Sequence, residues 1–127
     1  MKEIYDRFSR DRFAAMCGME IEEISKGYAR TSMVVEDRHL NGVDIAQGGA
    51  IFTLADLAFA CASNSHGPVA VSINISMSFL KAVREGETLV AEAREVSLHR
   101  KIAVYEMEVR SKDDIVAKLS GTVYRKT

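Results

Sequence analysis

GGAIFTLADLAFACASNS, residues 48–65, decides the reading of this chain: it opens on two glycines, is apolar on nearly every side, and carries one ionisable residue, Asp56. A run of Ala, Leu, Ile and Phe with no proline and no polar stripe describes a helix enclosed by the rest of the fold. Before it, residues 37–47 hold the turn formers Asn41, Gly42 and Asp44, which make a loop. After it, His66-Gly67-Pro68 breaks the chain, and four strand-like runs follow at 69–80, 87–98, 101–110 and 115–124. The breaks between them are short, which suits antiparallel neighbours joined by hairpins. In the first run Val69, Val71, Ile73, Ile75, Met77 and Phe79 alternate with Ala70, Ser72, Asn74, Ser76 and Ser78, so one apolar face is expected to pack and one polar face to stay outside.

Upstream, Lys2 to Ala15 is rich in helix formers, with Ile4 and Phe8 one turn apart and Gly18 as a stop, and reads as one modest amphipathic helix. Met19 to Glu36 reads as two short strands about a bend at Lys26-Gly27. The whole is an α+β arrangement: a long antiparallel β-sheet wrapped around a central helix, with an N-terminal helix. Neither a linker nor an internal repeat divides residues 1–127, so one domain is expected. Such a sheet has open edges, and pairing them between two copies removes unpaired backbone, which predicts a homodimer with scope for dimers to pair into a homotetramer.

Composition removes several functions. Lys plus Arg number 17 against 18 Asp plus Glu, a net charge of −1, so no overall field favours nucleic acid or an anionic membrane. The charged N-terminus lacks the apolar stretch of a secretory signal, and the longest apolar run is short and interrupted by Asp56, so a cytoplasmic protein is expected. Cys17 and Cys61 fit neither a disulfide framework nor a zinc site. With no GxGxxG, P-loop, GxSxG elbow or metal-ligand cluster, no cofactor and no metal are expected.

The chemistry centres on Asp56. A carboxylate among Ala, Ile, Phe and Leu is costly to bury, and the bland account is a side chain that escapes through a gap or bonds nearby backbone. The helix start changes the weighing. Gly48 and Gly49 offer unsatisfied N–H groups at the positive end of the helix dipole, and without Cβ atoms they let a carbonyl approach the backbone, so they are expected to hold an oxyanion. The bland account of the pair is a tight turn. The two positions are eight residues apart, about 12 Å of helix at roughly 1.5 Å per residue, so one copy cannot aim both at one carbonyl. Two antiparallel helices in a dimer would bring Gly48 of one copy toward Asp56 of the other.

The run NGVDIAQGGAIFTLADLAFACASNS, residues 41–65, resembles the signature of the phenylacetic-acid-pathway (PaaI-like) thioesterases of the hot-dog superfamily: Asn, a spacer, His-Gly-Gly, then an apolar helix carrying Asp. The N-terminal helix, the strand VSINISMSFLKAV and the final hairpins follow in the same order. The resemblance implies a hot-dog fold that hydrolyses acyl-CoA thioesters, with Asp56 as general base or nucleophile and the Gly48 N–H polarising the carbonyl. It also implies that Asn41 orients substrate or water and that Ser72 supports the Asp56 side. One departure stands out: the family histidine is Gln47 here, which still donates a hydrogen bond but does not titrate, so a changed rate or substrate is expected rather than lost activity.

A CoA ester brings phosphates. Arg84, Arg100 and Lys101 are the first candidates to meet them, with Lys81, Arg125 and Lys126 behind, although each is ordinarily a solvated turn residue. Two rivals remain: a non-catalytic acyl-CoA-binding module on the same fold, and a hot-dog dehydratase, which would need a histidine that residues 41–65 do not contain. An aryl or medium-chain acyl group would suit a tunnel lined by residues such as Phe52, Leu57 and Phe59.

Overall fold

The computed structural model describes residues 1–127. Ten elements follow in order: α1 (Lys2–Ser9), α2 (Arg12–Met16), β1 (Glu20–Ser25), β2 (Tyr28–Val34), a 3-10 turn (Asp37–His39), α3 (Gly48–Asn64), β3 (Ala70–Phe79), β4 (Thr88–Leu98), β5 (Ile102–Ser111) and β6 (Asp114–Arg125). The strands form one six-stranded sheet in the order β1-β2-β4-β5-β6-β3, with every pairing antiparallel. It curls around α3, the enclosed helix that residues 48–65 called for. No helix is long and apolar enough to cross a membrane.

Small residues let the sheet close on the helix. Ala29, Ala91, Ala93, Ala103 and Ala117 project inward from the central strands, all with no exposed surface, so α3 seats Leu54, Ala58 and Phe59 deep against them. Gly121 of β6 carries this furthest: a Cβ there would meet the Phe59 ring at 2.6 Å. Phe59 is therefore core, tilted against Tyr105 at 5.7 Å between centroids. It lines no tunnel, contrary to the expectation from the sequence.

Two further expectations need correction. The stretch from Lys2 to Ala15 is two helices, because Asp11 is extended and its side chain accepts the Ala14 N–H at 3.0 Å, starting α2 afresh. The alternation of β3 also fails midway. Its register against β6 shifts between Ser72 and Asn74, a bulge at Ile73 that reverses which residues face inward. Ser72 pairs with buried Val123 and so shares the inner face with Ala70, whereas past the bulge Ile75 and Met77 face inward and Asn74 turns out. Val71, Ile73 and Phe79 are exposed rather than packed.

The two sheet edges differ in chemistry. At one edge β1 is short and carries Glu20, Glu22 and Glu23; at the other β3 has ten residues and no charge. Charge on an edge repels a further strand, and a long uncharged edge invites one.

Candidate active site

Gly48 starts α3 because Gln47, extended at φ −65° and ψ 136°, caps it: the Gln47 side-chain oxygen accepts the Gly49 N–H at 2.6 Å. The Ala50 and Ile51 N–H groups both donate to the Gln47 carbonyl, at 2.9 and 3.4 Å. The Ile51 bond is the first ordinary turn of the helix, and the Gln47 N–H donates to the His39 carbonyl at 2.8 Å, so of the four N–H groups from Gln47 to Ala50 only that of Gly48 is left without an acceptor in the chain. The two glycines thus divide their work: the free donor belongs to Gly48 alone. A Cβ on Gly48 would lie 2.9 Å from the tip of the Phe79 ring, and one on Gly49 would lie 2.5 Å from the Gln47 side-chain oxygen.

Gly48 and Asn41 line one cavity of about 430 Å³, walled by Ile45, Ile51, Phe79 and Val83, with Lys81 also lining it. The Asn41 side-chain oxygen is committed to its own loop, accepting from the Val43 and Ile45 N–H groups at 2.9 and 3.3 Å, so only its NH2 is free to donate. Gln47 and Gly49 line a second cavity of about 400 Å³, on the side of Phe13 and Phe52. Phe79 and Phe13 carry no local signal in the sequence. Both reach the helix start only through the tertiary fold.

Asp56 is half-buried and lies with Gly49, Thr53 and Ala60 on the one stripe of α3 that the sheet leaves uncovered. Its carboxylate forms no hydrogen bond in the chain; burial first, and the nearby negative charge of Asp11 second, push its pKa above the ordinary carboxylate range. Of the two bland accounts, a bond to neighbouring backbone does not describe it, whereas its place on the uncovered stripe fits a side chain that leaves the core through a gap. Because the folded pKa is raised, ionised Asp56 weakens the fold at neutral pH, and the penalty disappears as pH falls below the carboxylate's unfolded value. Asp56→Asn should therefore raise Tm at pH 7 by an amount on the order of a few degrees. Melting curves should show the difference from the parent narrowing toward pH 4.

Other ionisable groups are engaged elsewhere. Buried His39 accepts the Glu36 N–H on Nδ1 at 2.9 Å and places Nε2 2.8 Å from the Cys17 carbonyl, which fixes the loop before α3. His66 Nε2 lies 2.7 Å from Glu95, beyond the far end of α3. Burial pushes the Cys61 thiol up to about 12, which leaves it un-ionised. Ser72 lies on the inner side of the edge strand β3 but is exposed there, and its Oγ forms no hydrogen bond within the chain.

The basic residues fall into two groups. Arg100, Lys101, Arg125 and Lys126 gather where the β4–β5 hairpin meets the end of β6: the Arg125 guanidinium donates to the His99 and Arg100 carbonyls at 3.0 and 3.3 Å, and Lys101 lies over the Tyr124 ring. Arg84 sits before the start of β4, and Lys81 pairs with Asp114 at the start of β6. The groups are at opposite ends of β4, roughly 35 Å apart at about 3.4 Å per residue. One chain does not bring Arg84 to Arg100 and Lys101.

A six-stranded antiparallel sheet curled around one enclosed helix, with short helices before it, defines a hot-dog fold. The thioesterase superfamily model matches residues 45–118, and the chain belongs to that family. It is a PaaI-like thioesterase by descent: it is 34% identical to the acyl-coenzyme A thioesterase PaaI of Escherichia coli K12, over 93% of this chain and 85% of that protein. The solved structure of E. coli PaaI superimposes with a TM-score of 0.93, covering 96% of this chain and 89% of that one. A relative from Archaeoglobus fulgidus is 49% identical over 93% of this chain and 77% of its own length. The Streptococcus mutans protein smu.793, solved bound to acetyl CoA, is 31% identical with a TM-score of 0.82, over 85% of this chain and 88% of that one.

Proposed function

We propose that the chain hydrolyses an aryl- or medium-chain acyl-CoA to the free acid and CoA, at sites shared between two copies. The observation that carries this reading is the single free donor at Gly48, opening on an apolar cavity of about 430 Å³ in a chain of the thioesterase family. Asp56 of the facing subunit takes a proton from water, and the water oxygen bonds to the thioester carbon. The carbonyl π electrons move onto oxygen, where the Gly48 N–H meets the new charge. Collapse breaks the C–S bond, and the departing CoA thiolate takes up the proton. Asn41 contributes its free NH2 to the same cavity, and Ser72 supplies a hydroxyl on the inner face of the edge strand.

Pairing through β3 supports the shared site. It is the long uncharged edge, and a two-fold axis there runs β3 antiparallel to its copy and α3 antiparallel to its copy. The same operation carries the basic hairpin of one subunit to the end of the sheet that holds Arg84 of the other. A CoA phosphate cradle of Arg84 with the partner copy's Arg100 and Lys101 follows, in a cytoplasmic dimer in which residues 1–127 act as one unit.

A panel of acyl-CoA esters assayed by thiol release tests the reading. The expected result is release of CoA from at least one aromatic or medium-chain ester, unchanged by EDTA; a folded protein that binds the esters and turns over none of them sinks it in favour of a binding module. In the same assay, Arg84→Ala and Arg100→Ala should each raise KM severalfold with kcat little changed, since their contacts are to the part of CoA that does not react.

A further inference from the structure

We propose that Gln47 is a positioning residue whose side-chain cap leaves α3 with one fixed donor, the Gly48 N–H, for the thioester oxygen. The inference rests on the reading of Gly48 as the oxyanion donor and extends it to the residue that replaces the family histidine. The Gln47 side-chain oxygen takes the Gly49 N–H, while Ala50 and Ile51 donate to the backbone carbonyl that any residue there would supply, so Gly49 is the first-turn donor that depends on the side chain. It is itself held in place. Its N–H donates to the His39 carbonyl at 2.8 Å, the preceding Ala46 N–H donates to Val83 at 2.8 Å, and His39 is tied through both ring nitrogens. The second glycine is explained by the same bond, because any Cβ at Gly49 would strike the capping oxygen at 2.5 Å.

The chemistry of the cap matters as much as its geometry. An uncapped first turn frays, and a frayed Gly48 N–H loses the preorganisation that makes an oxyanion donor effective. A carboxylate would cap the helix at least as well, yet it would hold a negative charge beside the oxygen that becomes negative in the reaction. Gln47 caps without charge at any pH, which a histidine does not.

Three variants separate the cap from the charge: Gln47→Ala, Gln47→Ser and Gln47→Asp, each read for Tm, kcat and KM on the preferred ester. Gln47→Ala should lower Tm and reduce kcat roughly tenfold, a fraction of the hundredfold or more that loss of a whole oxyanion donor costs. Ser and Asp are both good caps. Gln47→Ser should recover Tm and most of kcat, whereas Gln47→Asp should recover Tm and leave kcat low. The proposal is overturned if kcat simply follows Tm across the three, if Gln47→Ala keeps the parent kcat, or if Gln47→Ser recovers Tm without kcat. The last outcome would assign the role to the amide NH2 instead. The parent's own thiol release, run alongside, keeps the two readings apart: if the parent turns over esters while the Gln47 variants are normal, only the cap proposal falls, and if the folded parent turns over none of them, the functional reading falls first.

Discussion

Asp56→Asn should lower kcat at least about a hundredfold, the lower end of what a positioned acid or base contributes, while the protein stays folded. The substitution keeps size and shape, and Asp56 makes no hydrogen bond in the chain whose loss would disturb α3. What it removes is the only carboxylate on the helix. The raised pKa gives the parent a matching signature: kcat/KM should fall as pH drops through a value above the ordinary carboxylate range, because the protonated acid neither accepts a proton nor attacks carbon. Turnover near the parent's would remove Asp56 from the mechanism. A single turnover in ¹⁸O-labelled water then separates the two carboxylate roles. As general base, Asp56 sends the label directly into the product acid. As nucleophile, it forms an anhydride and gives one of its own unlabelled oxygens to the product if water then attacks the Asp56 carbonyl.

The second large effect is restoration of activity by mixing two inactive chains. Gly48 and Asp56 lie about 12 Å apart along α3 at roughly 1.5 Å per residue, too far to act on one thioester from one helix. Gly48→Leu should inactivate alone, since even a Cβ would meet the Phe79 ring at 2.9 Å and a longer side chain enters the cavity that Gly48 lines. Phe79 is 56% exposed, so its ring has room to move aside and the fold should survive. In a heterodimer of Gly48→Leu with Asp56→Asn, one site carries both defects and the other neither. Differently tagged chains, co-folded and purified through both tags, should therefore recover up to about half the parent rate, against almost none for either homodimer. Folded heterodimers no more active than their parents would mean that a single chain assembles the catalytic groups.

Much of this site was legible before any coordinates. The enclosed helix, its glycine start and its lone carboxylate are local facts of residues 48–65, and the four later strands fall within a residue or two of the runs that announced them. The break at Asp11 is also local, since an Asp ahead of a short run of helix formers is a helix start signal. Gln47 is legible only as an amide able to donate, whereas in the structure its side-chain oxygen accepts the Gly49 N–H.

What the sequence by itself determined is which residues leave water and with what period, because burial is written in the local alternation of apolar and polar side chains. That suffices for an α3 enclosed by antiparallel strands and for an Asp56 whose ionisation is opposed. Only the tertiary structure decided which of two adjacent glycines keeps its N–H free, that Phe79 closes on Gly48, that a bulge at Ile73 turns Ser72 inward, and that Arg84 stands at the opposite end of the sheet from Arg100 and Lys101. Each of these depends on register and on contacts between residues distant in sequence. A one-residue shift in strand pairing reverses every side chain beyond it, and no local pattern records which neighbour a buried or capped group will meet.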